Sequence, residues 1–94
     1  MYSYCYAYGS PSGGGGGSVK QHFYITKPFQ LAAYRGVNQD FEAFLRGEHP
    51  GERISASCLS PGSLEAAQKN RQTALDLRRK QSATWDIVEV DWKR

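Results

Sequence analysis

Two cysteines, two histidines and a single methionine are all that 94 residues contain of those types. Two cysteines permit one disulfide and exclude a multi-bridge framework. With Cys5 in a tyrosine-rich leader and Cys58 in an alternating stretch, the expectation is a pair of free thiols in a cytoplasmic or other reducing compartment. His22 and His49 have no cysteine or carboxylate spaced with them in a metal-ligand pattern, so no metal and no cofactor are expected. The N-terminus lacks both a basic segment and an apolar core of the kind that directs secretion, so a secreted protein is not expected. No apolar run approaches the ~20 residues of a membrane span, which leaves no membrane in the expected partners.

What is present is uneven. Tyr2, Tyr4, Tyr6 and Tyr8 recur at every second position in "MYSYCYAY". That is the period of a strand, with the four rings on one face and Ser3, Cys5 and Ala7 on the other. A lone strand is unstable in water and needs a sheet edge to pair with. "GSPSGGGGGS" follows, a flexible tether whose ten residues span roughly 16–19 Å. The reading divides the chain into a leader strand or fused peptide at 1–8, a linker at 9–18 and a small domain at 19–94.

Within the domain, "VKQHFYITK" alternates as a strand, Val19, Phe23 and Ile25 facing inward and His22 and Tyr24 outward, until Pro28 ends it. "NQDFEAFLRG" predicts a helix with Asn38 as N-cap, Phe41, Phe44 and Leu45 as the apolar stripe and Gly47 as the stop. "ERISASCL" is a second strand with Ile54, Ala56 and Cys58 inward. Ser60 and Pro61 open a helix that runs to about Gln81, with Leu64, Ala67, Ala74 and Leu77 on its thin apolar face. "TWDIVEVDW" is apolar on both faces, Val88, Val90 and Trp92 on one and Trp85 and Ile87 on the other, which predicts a central strand. The expected core is Phe23, Ile25, Phe41, Phe44, Leu45, Ile54, Leu64, Ile87, Val88 and Val90. The fold class is α+β: three strands, or four with the leader, and two helices packed mainly on one face.

Chemistry is sparse. The glycine run enters a strand rather than a helix and its lysine comes late, so it is not a phosphate-binding loop. Asp86 points away from Glu89 and Asp91, and the three acids read as solvated edges or ion-pair partners of the basic helix rather than an acid/base pair. No enzyme and no small-molecule substrate are expected. "LSPGSLEAAQ", the basic helix and "IVEV" together resemble the strand–helix–strand end of small linker domains in cyanobacterial phycobilisomes over about residues 53 to 91. The resemblance implies an assembly role without catalysis. Ala83-Thr84-Trp85-Asp86 stands where that family has Gly-Gly-Lys.

Two functional readings follow. One is a protein–protein interaction or assembly module, a linker or adaptor, in which Tyr2, Tyr4, Tyr6 and Tyr8 dock the leader as an added strand on a protein partner or larger assembly. The alternative is a small basic nucleic-acid-binding domain. The chain carries a formal net charge of +3, and Lys69, Arg71, Arg78, Arg79 and Lys80 crowd one helix.

Overall fold

The computed structural model describes residues 1–11 and 20–93. Along the chain run β1 (Tyr2–Pro11), β2 (Gln21–Thr26), β3 (Phe29–Gln30), α1 (Val37–Glu48), β4 (Glu52–Leu59), α2 (Leu64–Arg79) and β5 (Trp85–Val90). The α+β class holds, in a mixed five-stranded sheet. Val19 and linker residues 12–18 lie outside the described residues, while Gly9, Ser10 and Pro11, read as linker, belong to β1.

The tyrosine strand is the centre of the sheet. On one side β1 pairs antiparallel with β4, from Tyr4↔Leu59 to Pro11↔Glu52. On the other it pairs antiparallel with β2, from Tyr6↔Ile25 to Gly9↔His22, and then with β3 through Ser3↔Phe29 and Tyr2↔Gln30. β5 lies parallel to β2 beyond it. β2 and β3 are one strand line broken by a bulge: Tyr4 and Cys5 lie opposite Thr26, Lys27 and Pro28. Pro28 has no N–H for a ladder, and the Cys5 N–H donates instead to Thr26 Oγ1 at 3.0 Å. The added strand expected from the period of the tyrosines is therefore present, and both its edges are taken by this chain.

The helices lie on opposite faces, which corrects the one-face arrangement. Val37, Phe41 and Leu45 of α1 pack with Cys5, Ala7, Tyr24, Ile54 and Cys58. Ala67 and Leu75 of α2 pack with Tyr4, Phe23 and Ile25, joined by Tyr6, Tyr8, Trp85 and Ile87. Topology supplies the reason. β2, β4 and β5 run the same way, so both helical connections are crossovers. The first moves from β2 across β1 to β4, and the second moves back from β4 to β5. Two right-handed crossovers in opposite directions must use opposite faces.

Helix entries differ from expectation by local geometry. Gly36, with φ 78, precedes α1, and the Asn38 side-chain Oδ1 accepts the Cys58 N–H at 2.7 Å rather than capping the helix. α1 also runs through Gly47 to Glu48. Gly62 turns the chain with φ 110, so α2 begins after Ser63, whose hydroxyl accepts the Ala66 N–H at 3.1 Å. The face that α2 turns to the sheet differs from the expected stripe: Leu75 is buried, whereas Leu64 and Leu77 are 40% and 50% exposed. Phe44, Ile87, Val88 and Val90 are only half-buried, and Tyr4, Cys5, Ala7 and Tyr24 complete the core instead.

Cys5 and Cys58 are joined in a disulfide, which corrects the expectation of free thiols. They are register partners, and the Cys58 backbone turns away from β1. Its N–H goes to Asn38, and its carbonyl accepts the Tyr34 hydroxyl. Such non-hydrogen-bonded pairs bring the two chains closest, here with Cα atoms 4.0 Å apart.

Candidate functional site

The tyrosine comb is packing rather than an exposed row of anchors. Tyr4 is 2% exposed and Tyr2, Tyr6 and Tyr8 are half-buried under α2. Tyr6 and Tyr8 lie 5.8 and 5.7 Å from Phe23, ring centre to ring centre, and Tyr8 lies 5.3 Å from Trp85. Burial, reinforced by neighbouring Tyr6, pushes the Tyr4 hydroxyl above its ordinary pKa. Docking this face on a partner would require α2 to leave it.

The four cations of α2 and Lys80 at its C-cap do not form one surface. Arg71 turns inward, its Nε donating to the Thr26 carbonyl at 2.7 Å and its Nη2 to Glu89 at 2.5 Å. Arg78 also turns inward, with its guanidinium 5.0, 5.1 and 4.7 Å from the Tyr8, Phe23 and Trp85 ring centres. It donates to the Tyr8 hydroxyl at 2.7 Å. Lys69, Arg79 and Lys80 remain exposed, and Arg79 pairs with Asp76 at 3.7 Å. The long apolar stems of arginine let a polar helix cover aromatic rings, which is why a thin leucine stripe suffices here. Arg78→Ala should therefore lower stability by about 1–2 kcal/mol, more than a surface charge would, as read by urea titration.

Both histidines converge on one carboxylate, a cluster that the sequence reading did not assemble. His22 Nδ1 lies 2.7 Å from Glu52 Oε1, and His49 Nδ1 lies 3.4 Å from Oε2. The Tyr24 hydroxyl donates to Oε2 at 2.5 Å. Tyr24, expected to face outward, is 1% exposed. Gly9 makes room: a Cβ there would stand 2.7 Å from both Glu52 Oε1 and the Tyr24 ring. The turn His49-Pro50-Gly51-Glu52, closed by the Glu52 N–H on the His49 carbonyl at 3.1 Å, was the local signal. His22 and Tyr24 arrive only through the sheet. Among the described residues no group of three histidines, cysteines or acids is placed to hold a metal ion.

Burial alone would raise the Glu52 pKa, but hydrogen bonds from Tyr24 and His22, with the charges of His22 and His49, outweigh it and hold it below its ordinary value. A depressed folded-state pKa stabilises the fold above the free-acid value of 4.5 and is lost as pH falls through the lower folded value. Glu52→Gln should flatten that acid limb in melts between pH 5 and 2, while the parent loses stability steadily across it. Tyr24 has the opposite sign. Burial and its bond to Glu52 raise its pKa, so its contribution is full below the free-phenol value of 10.0 and declines above it.

The two outer edges of the sheet are finished differently. Along β4, Asn38 and Glu42 of α1 accept the N–H groups of Cys58 and Ala56 at 2.7 and 3.3 Å, and Tyr34 donates to the Cys58 carbonyl. Side chains thus occupy that edge as a neighbouring strand would. Among the described residues β5 has no such cover. Gln21 N–H donates to the Thr84 carbonyl at 2.9 Å, so alternation turns the N–H and C=O of Ile87 and Glu89 outward. Among the described residues none bonds to them. Trp85, Ile87, Val88 and Val90 are all half-buried along this strand, as is Trp92 just beyond it.

No helix among the described residues is long and apolar enough to cross a membrane. No family model, curated protein or solved structure matches the chain.

Proposed function

We propose that this chain is a non-enzymatic protein-interaction module that accepts an extended segment of a partner protein at β5. The observation that carries the reading is the contrast between the two edges. Asn38 and Glu42 of α1, with Tyr34 ahead of the helix, close the β4 edge, while among the described residues nothing bonds to the outward donors and acceptors of Ile87 and Glu89. The composition of β5 agrees. A strand apolar on both faces belongs inside a sheet, and one added strand would make β5 an internal one. In this reading β-addition remains the mode of recognition, but the chain receives a strand rather than lending its tyrosines. The His22–Glu52–His49–Tyr24 cluster is structural, since Glu52 directs both oxygens to its own neighbours. The disulfide fits a chain that meets an oxidising environment.

Glu89→Pro tests the proposal. It removes one outward N–H and leaves the β2-facing groups of Asp86, Val88 and Val90 in place. Glu89→Ala controls for the lost carboxylate and its pairing with Arg71. The proline variant should lose partner binding at least tenfold beyond the alanine variant, measured by calorimetry with a partner captured by the parent chain. Equal binding by the two variants would remove β5 from the interface.

A further inference from the structure

Asp86, Glu89 and Asp91 place three carboxylates along the open edge, and all three residues are exposed. Asp86 lies on one face of the strand and Glu89 and Asp91 on the other, interspersed with the half-buried Ile87, Val88 and Val90, so the edge offers both apolar area and negative charge. Lys20 engages one oxygen of Asp86 at 3.6 Å and Arg71 one oxygen of Glu89 at 2.5 Å. The carboxylate-bearing side chains stay 53% and 64% exposed. A cavity of about 260 Å³, lined by Lys27, Glu89, Val90 and Asp91, closes the far end of the strand.

Building on the strand-accepting reading above, we infer that the segment accepted at β5 is a basic one, with lysine or arginine alternating with β-branched or other apolar residues. Charge decides between occupants. A second copy of this chain would bring the same three acids to the same edge, and like charges facing across strands oppose pairing. Acids on an edge are a recognised device against self-association. A basic strand meets Glu89 and Asp91, which share a face, with opposite charge. Its backbone bonds to Ile87 and Glu89, its apolar residues cover the half-buried faces, and a cationic head enters the cavity between Glu89 and Asp91, beside Lys27. Bidentate guanidinium pairing favours arginine at that end.

The probes are three octapeptides of alternating Lys-Val, Gln-Val and Glu-Val, titrated into the full, oxidised chain and followed at the Ile87 and Glu89 amides by NMR. The Lys-Val peptide should bind at least tenfold more tightly than Gln-Val. Glu-Val should not bind, and the Lys-Val advantage should shrink in high salt and in the D86N/E89Q/D91N variant. Equal affinity of Lys-Val and Gln-Val would overturn the charge inference and leave the strand-accepting reading standing. Failure of every peptide to move the Ile87 and Glu89 amides would overturn both. Sedimentation of the chain alone decides the remaining case. A concentration-dependent dimer with these two amides protected would assign the edge to a second copy and overturn the basic partner.

Discussion

A chain that begins at residue 12 should fail to fold. β1 supplies Tyr4, Cys5 and Ala7, all at most 2% exposed, and is the strand that both β4 and β2 pair with. Without it the two halves of the sheet have no common neighbour, and both helices lose the surface between them. So small a domain has no stability to spare for a central strand. Amide dispersion and the cooperative melt should both disappear. Tyr4→Ala is the milder form, expected to cost about 3–5 kcal/mol, the range for truncating a buried aromatic ring. A truncated chain that still melts cooperatively would show that residues 20–93 are self-sufficient and that β1 is an appendage.

Reduction of Cys5–Cys58 should be nearly as damaging. The bridge closes a segment with a sequence separation of 53, and the chain-entropy relation assigns a loop of that length roughly 4 kcal/mol. In a domain of this size that is a fall of about 15–30 °C in Tm. The bridge joins β1 to β4 from inside the core, with the two cysteines 0% and 1% exposed. A dithiol should therefore act slowly on the native chain and quickly on the unfolded one. Melts of the oxidised chain, the dithiol-treated chain and the C5A/C58A variant check this. Superimposable curves would mean that the bridge adds nothing to the fold.

These expectations turn on which parts of the fold local pattern could reveal. The alternation of Tyr2 to Tyr8 specified a strand, and the apolar character of Trp85 to Val90 on both faces specified β5, because period two is a local property. The position of each strand in the sheet is not local. The tyrosine strand became central and β5 became an edge, since β4 and β2 both compete successfully for β1. The inward turn of Arg71 and Arg78 escaped because a basic residue reads as solvated unless the aromatic rings beneath it are known. Pairing of Cys5 with Cys58 depends on the β1–β4 register. The gathering of His22, His49 and Tyr24 on Glu52 depends on three strands meeting at Gly9. In the candidate site, the two-faced composition of β5 was legible, but its open edge was not, because only the folded chain shows that α1 closes the opposite one.

Hydrogen exchange at single-residue resolution tests the central claim, that β5 is an unfilled edge ready to take a strand. In the chain alone, the Ile87 and Glu89 amides should exchange fast, while those of Ala7 and Tyr24 inside the ladder stay protected. At saturating Lys-Val peptide, Ile87 and Glu89 should slow by at least a hundredfold with Ala7 and Tyr24 unchanged. Protection of Ile87 and Glu89 already present in the monomer, or no slowing at saturation, would contradict the account.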